Sequence, residues 1–115
     1  MAALTLRPAA LWNRSIGNQT AVAVIVSVTR PDGTPLTGLT EGDFDLDVID
    51  APNALHRGTK AGFFEFANPP GGIYSMGTGQ PPGPGGHWGQ DMLAIIIHAK
   101  KGADAGRTVL NVVLG

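Results

Sequence analysis

Between Val22 and Val48 the chain alternates apolar and polar positions twice, with a turn and a connector in between. Val22, Val24, Val26 and Val28 recur every second residue and so share one face of a strand. Pro31-Asp32-Gly33-Thr34 carries turn chemistry, and Thr37-Gly38-Leu39-Thr40 forms a short connector. Beyond it Phe44, Leu46 and Val48 alternate with Asp43, Asp45 and Asp47, which predicts a second half-buried strand.

The same period-2 pattern continues along the chain. It predicts strands over about 20 to 29, 43 to 50, 61 to 67, 72 to 77, 91 to 99 and 107 to 114, divided by Gly, Pro, Asn and Asp clusters. No segment sustains a helical period. In the run from Met92 to Ala99, Leu93, Ile95 and Ile97 line one face while Met92, Ala94 and Ile96 line the other, so this strand is expected to be central or covered. In the last strand Val109 and Val113 lie opposite Leu110, Val112 and Leu114. The pattern predicts an all-β antiparallel sandwich of about six to eight strands with no helix longer than about two turns. Val24, Val26, Phe44, Leu46, Ile95 and Val112 are its expected core.

Two segments depart from this pattern. Residues 1–19 read as an N-terminal arm or a first edge strand interrupted at Pro8, with Leu4, Leu6, Leu11 and Trp12 as apolar contacts; residues 20–115 form the sandwich. The segment from Gly77 to Gly89 is dominated by Gly and Pro, a composition that supports neither strand nor helix. It serves as a connector, or as an interaction loop that presents His87 and Trp88.

The ordered motifs resemble bacterial immunoglobulin-like modules, from about residue 20 to 114. The valine strand, Asp32-Gly33, Pro35-Leu36-Thr37-Gly38-Leu39-Thr40 and Asp43-Phe44 carry the likeness. Gly72-Ile73-Tyr74 and Trp88-Gly89 before the apolar strand extend it, while the long Pro/Gly loop departs from it. The resemblance implies an immunoglobulin-like sandwich and leaves the role open, because such folds host adhesion, spacing and assembly alike.

Composition narrows the chemistry further. A chain of 115 residues fits one domain that buries roughly two-thirds of its unfolded surface. The net charge of -1 and scattered Lys and Arg give no basic stripe for nucleic acid. The absence of cysteine removes disulfides, thiolate metal sites and thiol nucleophiles. Charged residues make up only 15% of the chain, against about 25% in a typical soluble domain, which favours association. The start of the chain shows no signal peptide, and no segment reads as a spanning helix. The compartment is cytoplasmic if Met1 is native and extracellular if a leader was removed.

Candidate sites for chemistry are weak. Asp43, Asp45, Asp47 and Asp50 offer oxygen ligands for Ca²⁺, but alternate strand carboxylates diverge, and a solvated face that discourages edge pairing explains them more simply. His56, His87 and His98 lack paired metal-ligand spacing, with His56 and His87 expected in loops. Ser27 and Ser75 fall within strands and no nucleophile elbow is present. Tyr74 is expected at the core edge with its hydroxyl bonded to backbone. The sequence therefore predicts no catalytic residue, metal or cofactor, and no nucleic-acid, membrane or small-molecule partner. It predicts a non-catalytic subunit that binds itself or another protein through strand edges and through Leu4, Leu6, Leu11, Trp12, His87 and Trp88. The alternative is a secreted or cell-surface binding and adhesion module for carbohydrate or protein, with Trp12, Trp88 and Tyr74 as stacking groups.

Overall fold

The computed structural model describes residues 3–16, 19–50, 54–57, 60–78 and 92–113. They form eight strands: β1 (Thr5–Ile16), β2 (Gln19–Thr29), β3 (Phe44–Asp50), β4 (Ala54–Arg57), β5 (Ala61–Glu65), β6 (Ile73–Gly77), β7 (Met92–Lys101) and β8 (Asp104–Val113). One 3-10 turn, Glu41–Asp43, precedes β3. Two antiparallel four-stranded sheets result, with strand orders β1-β2-β6-β5 and β4-β3-β7-β8.

Alternation decides which side chains meet between the sheets. Val22, Val24, Val26 and Val28 of β2 join Tyr74 and Met76 of β6 from one sheet. Phe44, Leu46 and Val48 of β3, Leu93, Ile95 and Ile97 of β7, and Val112 of β8 join them from the other. All six core residues expected from the pattern are buried. Strand β7 lies between β3 and β8, the central place its two apolar faces predict.

Thr5–Ile16, within the N-terminal 19 residues, form an edge strand of the first sheet. β1 pairs antiparallel with β2 from Thr5↔Thr29 to Ile16↔Gln19, with a register shift between Ala10 and Trp12. Leu4 and Leu6 are buried in the chain's own core, so neither is available to a partner. Ahead of the strand, the Leu4 N–H donates to the Ala105 carbonyl at 2.9 Å and Ala3 bridges Ala105 in parallel, tying β1 to the start of β8.

Two expectations are corrected. Asp47 does not guard an edge, because β3 there is paired with β4 on one side and β7 on the other, whereas Asp45 lies beyond the β4 ladder. His56 lies in β4, not in a loop. That four-residue strand carries too short a pattern to read from sequence, and it forms because β3 offers it a ladder, Val48↔His56 among its pairs.

The connector between β2 and β3 is pinned from below. The Tyr74 hydroxyl donates to the Leu36 carbonyl at 2.6 Å and accepts from the Leu39 N–H at 3.1 Å, while its ring sits 5.2 Å from Phe44 and 5.9 Å from Phe63. This is the structural role expected of Tyr74. Glu65 adds a second clamp, accepting the Gly38 N–H at 3.0 Å and the Gly72 N–H at 3.1 Å. Gly72 is required where the β5–β6 turn passes beneath the connector: its φ is +75°, and a Cβ there would lie 2.9 Å from the Pro35 Cβ.

Candidate interaction surfaces

With Leu46 and Val48 turned inward, the alternate residues of the β4-β3-β7-β8 sheet face outward. The ladder sets Asp45 opposite His98 and His98 opposite Arg107; one pair along, Asp47 lies opposite Ile96 and Ile96 opposite Val109. This outer face therefore has a charged end and an apolar end. At the charged end a shallow depression of 240 Å³ is lined by Asp43, Asp45, Asp47, His98 and Lys100.

The 3-10 turn shapes one wall of that depression. The Asp43 carboxylate accepts the Thr40 N–H at 2.9 Å and the Thr40 hydroxyl at 3.2 Å, and Lys101 approaches it at 4.0 Å. The backbone hydrogen bond from Thr40 holds the Asp43 carboxyl below its ordinary value, with desolvation opposing. What that contact contributes to stability is present at neutral pH and is lost as pH falls through the lowered value. The lining offers carboxylates, an imidazole and an ammonium group, with no hydroxyl or thiol.

Successive carboxylates along β3 stand about 6.6 Å apart by strand rise, too far to close on one ion unaided. Among the described residues no group of three His, Cys, Asp or Glu side chains is placed to hold a metal ion. The depression is thus an open polar surface.

At the apolar end Val109 and Val113 are 43% and 62% exposed. Ile96 is half-buried beside Val109. On the other sheet, β5 places Phe64 outward at 49% exposure, with the Phe66 ring 4.9 Å away edge-on. Phe64 lies opposite Ser75, and Ser75 opposite Ile25.

Of the residues expected at an interface, the structure describes the side chains of Leu4 and Leu6. Leu4 and Leu6 are internal. Leu11 and Trp12 fall in β1 at its register shift, with side chains outside the described set. His87 and Trp88 lie outside the described residues. Among the described residues the exposed large apolar side chains are Phe64, Val109 and Val113, with Phe66 half-buried beside Phe64. Phe63-Phe64-Glu65-Phe66 carried the signal, because period 2 sends Phe64 and Phe66 to one face and Phe63 to the other. The described helical segments include none long and apolar enough to cross a membrane. Against protein-family models, curated proteins and solved structures alike, the chain finds no match.

Proposed function

We propose that the chain is a non-catalytic immunoglobulin-like module that works by association, with itself or with another protein, through exposed sheet surfaces. The fold assignment is supported by strand order. Lettered along the chain, β1-β2-β6-β5 over β4-β3-β7-β8 reads A-B-E-D over C′-C-F-G, the immunoglobulin-like arrangement with one extra strand beside C. The functional reading rests on one observation: Val109 and Val113 stay exposed on a regular strand whose inward neighbour Val112 is buried. Molar mass by light scattering across graded concentrations tests it. Mass rising with concentration is expected; a monomer throughout removes self-association and leaves only a foreign partner.

A second reading is favoured by the Phe64–Phe66 pair. The Phe64 ring is exposed, with the half-buried Phe66 ring edge-on beside it, and an exposed ring suits stacking on a sugar, as in a cell-surface binding module. A glycan array with the chain and its Phe64→Ala variant separates the two. Binding lost in the variant supports the carbohydrate reading, and an array without signal rejects it.

A further inference from the structure

We propose that the outer face of the β1-β2-β6-β5 sheet binds a neutral sugar ring, stacked on Phe64 and hydrogen-bonded to the Ser75 hydroxyl; the proposal rests on the carbohydrate reading above.

Two hydroxyls stand side by side in β6 and differ in their partners. Tyr74 points inward, and its hydroxyl meets the Leu36 carbonyl and the Leu39 N–H. Ser75 points to the opposite face, since successive strand residues alternate. It is only 5% exposed, and its hydroxyl has no hydrogen-bond partner among the described residues. Burying a hydroxyl without a partner is destabilising, so native structures seldom hold one without a use.

The surroundings of Ser75 set the chemistry of what would meet it. Its ladder partners are Phe64 on β5 and Ile25 on β2. One row along, Ile73 lies opposite Ser27, and the Phe66 N–H donates to the Ile73 carbonyl at 2.9 Å. None of these outward residues is charged. Glu65, between the two phenylalanines, is turned to the connector, where its carboxylate accepts the Gly38 and Gly72 N–H groups. Arg7, opposite Ser27, stands at the far edge of the sheet. A charged ligand therefore finds no counter-charge in these rows beside Phe64.

A neutral pyranose meets both features. Its C–H face stacks on an aromatic ring, and the hydroxyls at its rim donate to and accept from a serine hydroxyl. Opposed Cβ atoms on one face lie about 5 Å apart, so a sugar seated on Phe64 is within reach of position 75. Phe64 and Ile25 are both larger than the serine between them and close over it. Contact requires the Phe64 ring to turn outward, from an edge strand where 49% of the residue already meets water.

Ser75→Ala separates a binding role from a structural one. On the full chain, an array of gluco-, galacto- and mannooligosaccharides, with sialylated and uronic-acid glycans beside them, is expected to show binding to neutral members only. The strongest neutral binder is then titrated by calorimetry against the chain and its variants. Ser75→Ala is expected to weaken binding about fivefold, the worth of one neutral hydrogen bond. Its melting temperature is expected to stay equal or rise, because the hydroxyl removed has no partner in the fold. Phe64→Ala is expected to abolish binding. A lower melting temperature for Ser75→Ala would show the hydroxyl in use within the fold and overturn the site. Unchanged affinity in Ser75→Ala, with binding lost in Phe64→Ala, would also overturn it while leaving the carbohydrate reading intact. Binding confined to acidic glycans would overturn the neutral sugar. No binding to any glycan would overturn both the site and the reading it rests on.

Discussion

At the scale of single residues, Tyr74 does the most to join separate parts of the chain. Its ring fills the core beside Phe44 and Phe63, and its hydroxyl satisfies two backbone groups of the β2–β3 connector. Tyr74→Phe keeps the ring and leaves the Leu39 N–H and Leu36 carbonyl to find other partners. We expect a loss of about 1–3 kcal/mol in denaturant unfolding. Burial raises the phenol above its ordinary value of 10.0, against the lowering by the Leu39 N–H. The unfolded phenol loses its proton first as pH rises, so the unfolded state binds fewer protons and stability falls above about pH 10. Absorbance of the phenolate is expected to rise late and together with loss of fold; ionisation at the ordinary value in a folded chain would contradict the burial argument. The phenol's place under the connector comes from a contact across 38 residues, whereas its apolar setting in Gly72-Ile73-Tyr74 was visible locally.

Strands set the next level, where close backbone approach matters as much as side-chain burial. Ile95 sits on the inner face of β7 and is fully buried among residues of both sheets. Ile95→Ala is expected to cost about 2–5 kcal/mol, read as a lower denaturant midpoint with unchanged slope. Gly106 reports on the β1–β8 junction. A Cβ there would run into the Leu4 carbonyl and come within 2.6 Å of the Leu6 Cδ1. Gly106→Val is therefore expected to push β1 away and lower the melting temperature, and hydrogen exchange should speed at Leu4. Unchanged exchange there would show that the junction yields without cost. Alternation predicted β2, β3, β7 and β8 because each is long enough to repeat the pattern. β4 escaped it because four residues cannot establish a period.

Across the whole molecule, the N-terminal strand links the two sheets. β1 completes the β2 side of one sheet, places Leu4 and Leu6 in the core and bonds to β8 of the other. Deleting residues 1–10 is expected to unfold the domain, seen as loss of the β-type far-ultraviolet circular dichroism signal. A truncated chain that stays folded would make the segment a detachable arm. Leu4 and Leu6 are buried, whereas Phe64, Val109 and Val113 are the exposed large apolar side chains among the described residues.

Local pattern was sufficient for everything that depends on neighbours in the chain: strand period, turns at Asp32-Gly33 and the inward faces of Val24, Leu46 and Ile95. Those features follow from the two-residue repeat of an extended backbone, which any stretch of sequence displays by itself. Which strands lie beside which was set only by tertiary structure. β3 carries an acidic face that reads as an edge, yet it is flanked on both sides, and β8 reads as an ordinary last strand, yet it ends its sheet. The physical reason is that alternation specifies a strand's faces but not its edges: backbone N–H and C=O groups are the same for every residue except proline, so lateral order is decided by the packing of the whole core.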